Sequence, residues 1–281
     1  MGVLVFLNGR FVPQKRAVVS VFDRGFLYGD GLFEAVPIFN GRPFRWTQHM
    51  RRFQRGAKFL KITPPFSPGD LKKIAASLAA KNKMRCALLR ITLSRGVGVR
   101  GYSPQGAESP MLVMSLHPLP KYNPQNPPQW KVITSSIRLP AGEPLALFKT
   151  CNKLPQVMAR GQADATGAHE ALLSNTDGFV VEGTTSNLFW IKAGKVCTPP
   201  LASGILPGVT RAAVLEICRA MKIRPRKISP RRKDLLRADG IFLSMSSFGI
   251  VEVTELDGRA LRRSPLVPQI ARAYNEMLAR E

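Results

Sequence analysis

The sequence predicts an α/β protein of the α+β kind, built from two domains. Three observations point there. The chain has 281 residues, which at about 150 residues per domain makes roughly two. Its composition breaks sharply once, at residues 118–129. Strand-like runs mix with helical periodicity on both sides of that break. Within it, Pro118, Pro120, Pro124, Pro127 and Pro128 fall among polar residues, and proline continues neither a helix nor a central strand. Residues 118–129 are therefore expected to link a small domain at 1–117 to a larger one at 130–281.

In the first domain, Val3–Leu7, Ala87–Leu93 and Met111–Leu116 are apolar runs of strand length. Met50, Phe53, Ala57 and Leu60 recur at steps of three and four residues, so they share one helical face, and the helix is expected to open at Thr47. A second helix starts at Ser67. Pro68 in the first turn and Asp70 three residues on make a capping-box-like entry to Leu71, Ile74, Ala75 and Leu78. Beyond the linker, Val132–Ile137, Glu170–Leu173 and Leu188–Ile191 are expected strands, and Leu154–Ala165 an expected helix. Thr210–Met221 is the clearest helix, with Val214, Ile217, Cys218 and Met221 on one face. Ile270–Leu278 closes the chain as a last helix.

Composition excludes several classes. At 44% hydrophobic and 21% charged residues the chain can fill a core and is not a disordered polycation. No apolar run approaches the roughly 18 residues of a membrane helix, and Met1–Arg10 lacks a basic leader, so a soluble, cytoplasmic protein is expected. Cys86, Cys151, Cys197 and Cys218 are scattered among only three histidines, which supports neither a disulfide framework nor a metal site. Lys plus Arg number 42 against 18 Asp plus Glu, a net charge of +24. The densest basic stretch, Lys222 to Lys233, contains no acid and lacks interleaved aromatics, so it reads as a solvated basic face that also favours anionic substrates. Nucleic acid is not an expected partner.

Three segments carry chemistry. Lys149 follows Leu147 and Phe148, and a lysine in apolar surroundings has its pKa lowered, as a Schiff-base nucleophile requires. A snorkelling surface lysine is the bland alternative. Glu182-Gly183-Thr184-Thr185-Ser186-Asn187 puts an acid and three hydroxyls in a turn between apolar runs, which suits a ligand contact or a plain hairpin turn. Ser203 to Arg211 is a glycine-containing turn feeding a helix whose first-turn amides and dipole favour an anion such as phosphate.

In this order, Lys149-Thr150-Cys151-Asn152, Glu182 to Phe189 and Leu206 to Arg211 resemble the signature of the class IV aminotransferase family, the fold-type IV pyridoxal-phosphate enzymes. Asp23 to Glu34 and His49-Met50-Arg51-Arg52-Phe53 resemble the family's N-terminal and first-helix motifs, so the likeness spans nearly the whole chain. It implies a small α+β domain, a larger domain with a β-barrel-like core, and a homodimer. It further implies that Lys149 holds pyridoxal 5'-phosphate as a Schiff base and moves the substrate proton. Glu182 would pair with the pyridine nitrogen, keeping the ring an electron sink. Asn187 joins the cofactor set. Arg52, the Val209 and Thr210 amides, the Thr210 hydroxyl and Ser246 would hold the phosphate. Arg138 would approach the ring hydroxyl. Lys153 is the rival nucleophile, but it stands where the family has a tyrosine or an apolar residue.

Arg90 to Pro104 resembles the substrate loop of aminodeoxychorismate lyase, a branch of the family that makes 4-aminobenzoate for folate synthesis. By that likeness Arg90 and Arg100, with Phe33, would meet a small anionic amino substrate. Two positions depart from the lyase pattern. Ala35 replaces a threonine that would protonate the leaving pyruvate, and Pro37 replaces an arginine. The best single expectation is the lyase; the alternative is an aminotransferase acting between a D- or branched-chain amino acid and a 2-oxo acid.

Overall fold

The computed structural model describes residues 2–120 and 126–280. They divide into two units, residues 2–119 with Phe148–Asn152, and Pro120–Leu147 with Lys153–Arg280. The linker expected at 118–129 lies partly outside the described residues. Among those described, no helix is long and apolar enough to cross a membrane.

The first unit is a six-stranded antiparallel sheet covered by helices. Its elements are β1 (Leu4–Leu7), β2 (Arg10–Pro13), α1 (Arg24–Tyr28), β3 (Gly31–Phe39), β4 (Arg42–Pro43), α2 (Trp46–Leu60), α3 (Pro68–Lys81), β5 (Ala87–Ser94) and β6 (Met111–Pro118). The strand order is β2-β1-β6-β5-β3-β4. Alternation along β3 splits its side chains. Leu32, Val36 and Ile38 join Leu89, Ile91 and Leu93 of β5 in a core with Met50, Phe53 and Ala57 of α2 and Leu71, Ala75 and Leu78 of α3. Phe33 and Ala35 therefore take the opposite face, with their cross-strand partners Thr92 and Arg90.

The entry to α3 matches the sequence reading: Ser67 Oγ accepts the Asp70 N–H at 3.1 Å and donates to the Asp70 carboxylate at 2.6 Å. The entry to α2 does not. That helix starts at Trp46, preceded by Arg45 in a left-handed conformation and without a side-chain cap, and Thr47 lies inside it. Tertiary structure sets this start, because Trp46 is buried and its indole N–H donates to Pro68 O at 3.1 Å.

Strand β3 was not evident in the sequence, because Pro37 argues against a central strand. Its outer neighbour β4 pairs only with Ile38 and Phe39, so this end of β3 is nearly a sheet edge. The segment Phe148–Asn152 extends the same region. Lys149 O accepts the Phe33 N–H at 2.8 Å, Thr150 bridges Leu32, and Cys151 N–H donates to Gly31 O at 2.9 Å. The Phe148 ring stacks on Phe59 at 4.3 Å. A cut placed after the proline-rich stretch thus misses five residues that belong to the first unit.

The second unit contains β7 (Gln129–Leu139), α4 (Leu154–Ala165), β8 (Glu170–Asn175), β9 (Val180–Gly183), β10 (Asn187–Lys192), β11 (Lys195–Thr198), α5 (Val209–Ala220), β12 (Arg226–Lys227), α6 (Arg232–Leu235), β13 (Gly240–Met245), β14 (Gly249–Leu256), β15 (Arg259–Ala260) and α7 (Leu266–Arg280). Strands β10-β13-β14-β7-β8-β9 pair in sequence, and β9 pairs back to β10, which closes a six-stranded barrel. All six contribute to one apolar cluster, including Val132, Leu172, Val180, Leu188, Trp190, Ile241, Leu243 and Val251. That shared cluster is the barrel interior. Helix α4 joins the parallel strands β7 and β8 and lays Ala159 and Ala163 against Ala171 and Leu173 on the outside.

Candidate active site

In the first unit the site centres on Phe33. The Arg90 guanidinium stands 3.9 Å from the Phe33 ring centroid and the Lys149 Nζ 4.5 Å from it. Arg90 is half-buried, its Nε donates to Thr92 Oγ1 at 3.2 Å, and burial pushes its pKa down. Ala35 pairs with Arg90 across the ladder and offers no hydroxyl beside it. Lys149, Phe33 and Arg90, three separate candidates in the sequence, are therefore one cluster.

On the helix-facing side of β3, Glu34 is fully buried beneath α2. Arg52 grips it with two bonds, Nε to Oε1 at 2.8 Å and Nη2 to Oε2 at 2.7 Å, and His49 Nδ1 lies 2.7 Å from Oε2. Burial alone would raise the Glu34 pKa, but the charges of Arg52 and His49 and their hydrogen bonds bring it down to about 2. With Glu34 ionised, His49 Nδ1 must carry the proton it donates. Burial, then the Arg52 and Lys149 charges, lower the His49 pKa against the pull of Glu34. Sequence reading proposed Arg52 as a phosphate ligand but did not single out Glu34, which the structure shows bonded to it, or His49, which bonds the same carboxylate. The signal available was a carboxylate on the helix-facing side of β3.

The N-terminal motif positions the loop that carries Arg100. Asp23 caps α1 by accepting the Gly25 N–H at 2.8 Å, and it also accepts the Ser94 hydroxyl at 2.7 Å. Arg24 is buried, with Nε on Asp30 at 2.9 Å and its Nη atoms on Gly101 O and Tyr102 O at 2.8 and 3.0 Å. Arg100 is exposed in the loop so held. Among the described residues, no contact joins it to Lys149, Phe33 or Arg90.

In the second unit, Glu182 of β9, Asn187 of β10 and Ser244 of β13 are successive cross-strand partners and share one face. Glu182 Oε2 accepts the Leu206 N–H at 3.0 Å and Asn187 Nδ2 at 3.5 Å, while Asn187 Nδ2 donates to Leu206 O at 2.9 Å. These bonds tie the turn before α5 to the barrel wall. Gly208 is required there, because a Cβ would collide with Asn187 Oδ1. Helix α5 begins at Val209 with no side-chain cap, and Val209 and Thr210 are buried in its first turn. Ser244 Oγ is buried without a hydrogen-bond partner. Ser246 is half-buried in the turn after β13, and Arg138 is exposed on β7.

The three hydroxyls after Glu182 turn inward. Thr184 and Thr185 donate both N–H and hydroxyl to the buried Glu170 carboxylate, and Ser186 Oγ donates at 3.4 Å. The turn's polarity is thereby used in holding its own shape. Arg211 is likewise structural, with Nε on Thr198 Oγ1 and Nη2 on Pro199 O. Lys153, the rival nucleophile, is the N-cap residue of α4.

In the second unit the residues fit a phosphorylated pyridine, with an uncapped helix start for the phosphate, an oriented carboxylate for the ring nitrogen and an orphaned buried hydroxyl; in the first unit an amine stands beside an aromatic face. Comparisons agree. A putative branched-chain-amino-acid aminotransferase of Methanocaldococcus jannaschii is 36% identical over 258 residues, 92% of this chain and 89% of that one. A D-alanine aminotransferase of Bacillus licheniformis is 29% identical over 258 residues, with the same shares covered. An aminodeoxychorismate lyase of Bacillus subtilis is 29% identical over 256 residues, 90% of this chain and 87% of that one. Among solved structures, the branched-chain aminotransferase of Thermoproteus uzoniensis with norvaline superposes with a TM-score of 0.92 at 29% identity, covering 100% of this chain and 96% of that one. The T.th. branched-chain aminotransferase, complexed with N-(5'-phosphopyridoxyl)-L-glutamate, gives 0.90 at 26% identity, covering 100% and 95%. Residues 31–256 match the family model for amino-transferase class IV, and with the fold, the donor set and these relatives in accord, the chain belongs to the class IV aminotransferase family of pyridoxal-phosphate enzymes.

Proposed function

We propose that the protein is an aminotransferase that exchanges the amino group between an apolar amino acid of the branched-chain type and a 2-oxo acid. One observation carries this reading, the face of β3 and β5 on which Arg90 and Lys149 flank the Phe33 ring with Ala35 opposite Arg90. A transamination needs a carboxylate receptor, an apolar wall and one amine that takes and returns the substrate proton. Arg90, Phe33 and Lys149 supply these three. A lyase also needs a group to protonate the departing pyruvate, and Ala35 has no proton to give.

Bound pyridoxal phosphate supplies a carbonyl for amine condensation and a sink for the electron pair left when the substrate proton departs. Lys149 holds the cofactor covalently and then serves as the base. Glu182, fixed by the Leu206 N–H and Asn187, holds a proton on the ring nitrogen. In the second unit Val209 N–H, Thr210 and Ser246 would hold the phosphate; Arg52, fixed by Glu34 in the first unit, is the phosphate ligand that the family resemblance adds. The Arg90 fork binds the substrate carboxylate, and the Phe33 ring covers its apolar side chain.

A second reading, aminodeoxychorismate lyase, is supported by the loop Arg95 to Tyr102, whose carbonyls Arg24 clasps. A homodimer is part of either reading, and the exposed Phe22, Phe26, Val97 and Val99 of the first unit suit a subunit contact. Sedimentation would measure the assembly. The deciding experiment mixes cofactor-loaded protein in turn with L-leucine, D-alanine and aminodeoxychorismate. Loss of the visible absorption band with L-leucine, together with release of its 2-oxo acid, is expected. A response to D-alanine alone would overturn the branched-chain assignment, and 4-aminobenzoate with pyruvate would install the lyase.

A further inference from the structure

Transamination uses few of the cations behind the +24 charge. The densest basic stretch, continuous in sequence, divides in the structure. Arg231 stands over the Phe179 ring at 4.7 Å, Asp234 accepts its backbone N–H at 2.9 Å, and Arg232 Nε donates to Asp257 at 2.5 Å. Those residues are absorbed by α6 and its neighbours. Lys222, Arg224 and Lys227 instead join Arg219, from the last turn of α5, around a cavity of about 460 Å³. All four are exposed at its rim. Its apolar lining is Leu215, Ile223 and Pro225, and no acidic residue lines it.

Both walls rest on ordered backbone. Lys222 N–H and Ile223 N–H close the end of α5 on Arg219 O and Cys218 O at 3.0 and 2.8 Å. Strand β12 pairs Arg226 and Lys227 with Cys197 and Thr198 at the sheet edge. Among the described residues none of the four cations has an ion pair, whereas Arg24, Arg52, Arg95, Arg232 and Arg263 each have one.

One or two cations at a helix C-terminus answer the helix dipole and need no ligand. Four converging on a concave apolar floor repel one another, and an anion relieves that repulsion. The volume lies within the range of roughly 300–1,000 Å³ typical of small-molecule pockets. A nucleic-acid strand would need an extended groove with stacking aromatics, and no aromatic residue lines this cavity. The cavity sits at the C-terminal end of α5, one helix length or about 18 Å from the uncapped start assigned to the cofactor phosphate.

We propose that this cavity is a second anion site, one that binds a small organic polyphosphate with an apolar or flat body, of the nucleoside diphosphate class. The apolar floor takes the body and the four cations take the phosphates, so both parts contribute to affinity.

Calorimetric titration of the cofactor-loaded protein with ADP, inorganic pyrophosphate and adenosine tests this. ADP is expected to bind once per chain, weaken with added salt, and exceed pyrophosphate by about tenfold or more, with adenosine showing no binding. Arg224→Ala and Lys227→Ala are each expected to weaken ADP by about tenfold while cofactor absorbance and transaminase activity stay unchanged. Absence of ADP binding would overturn the proposal. So would equal binding of ADP and pyrophosphate, insensitivity to both substitutions, or tighter binding of a single-stranded oligonucleotide, which would make the surface a nucleic-acid face.

Discussion

The Arg52 guanidinium and the Glu34 carboxylate meet as a fork on a fork, with bonds of 2.8 and 2.7 Å, and both side chains are withdrawn from water. A buried pair of this kind stabilises little against a hydrophobic substitute, but breaking it strands a charge. Its value under the proposed function lies in orientation, because the pairing fixes the pose of the Arg52 guanidinium proposed to hold the phosphate.

Glu34→Gln should therefore lower stability by about 3–5 kcal/mol and weaken cofactor binding together. The double substitution Glu34→Leu with Arg52→Leu should recover most of the stability and none of the binding. Urea unfolding of the cofactor-free forms and absorbance titration with pyridoxal phosphate separate the two effects. If the double variant regains cofactor affinity along with stability, Arg52 does not hold the phosphate.

The same pair sets an acid limit. Glu34 moves from 4.5 to about 2 on folding, so between those values the unfolded chain binds the extra proton. Its contribution is fully present above about pH 4.5 and is lost as pH falls toward 2. At 1.36 kcal/mol per pKa unit, the difference of 4.5 − 2 corresponds to about 3 kcal/mol. Unfolding free energies measured across this window should slope less in Glu34→Gln than in the wild type. Identical slopes would show that other carboxylates carry the acid response.

Lys149 and Lys153 were both candidates for the covalent link, and the structure gives them different settings. Lys149 lies beside the Phe33 ring in a segment bridged to β3, and Lys153 precedes α4. Borohydride reduction of the loaded protein, followed by peptide mass mapping, should find the added mass on Lys149. Lys149→Ala should lower kcat/KM by a factor of about 10²–10⁴ or more, and Lys153→Ala should keep the yellow colour. A label on Lys153 would reverse the assignment.

What was legible in the sequence was mostly local. The cap at Ser67, the bounds of α4 and the apolar face of α5 depend on neighbours within one or two turns, so spacing reveals them. Ordered motifs likewise singled out Lys149, Glu182 and the turn before α5 as candidates. Residues whose partners are distant in the chain stayed hidden. Glu170 collects Thr184, Thr185 and Ser186 from across β8 and β9, so that turn looked more available to a ligand than it is. Glu34 lies in a strand that Pro37 concealed, and its partners come from a helix. The apparent unity of the Lys222–Lys233 charge run failed for the same reason: Asp257 and the Phe179 ring reach it only in the folded chain.

Gly208 tests how tightly the turn before α5 is tied to the barrel wall. A Cβ there runs into Asn187 Oδ1, and that side chain cannot give without losing its bonds to Leu206 O and Glu182. Gly208→Ala should cost about 1–3 kcal/mol of stability and weaken the cofactor by loosening Glu182. Adding Asn187→Ala to that variant removes the collision. Against the Asn187→Ala background Gly208→Ala should therefore cost little further stability; if it costs as much there as in the wild type, the contact is not what makes glycine necessary.

Arg90 is the residue proposed to bind the substrate carboxylate. It is half-buried over Phe33, its bond to Thr92 uses one donor, and its pKa is lowered by burial, as befits a cation kept short of water and awaiting an anion. A hydrogen bond to a charged group contributes about 1.5–3 kcal/mol, so Arg90→Gln should lower kcat/KM for L-leucine by roughly 10–150-fold. Arg90→Lys should recover only part of this, since an ammonium cannot match the planar fork. The discriminating substrate is isopentylamine, which carries the leucine side chain without its carboxylate. Slow turnover of that amine should be the same in wild type and Arg90→Gln. An equal fall for amine and amino acid would mean that Arg90 supports the Phe33 wall rather than binding the carboxylate, and the carboxylate receptor would then have to be sought in the loop that carries Arg100.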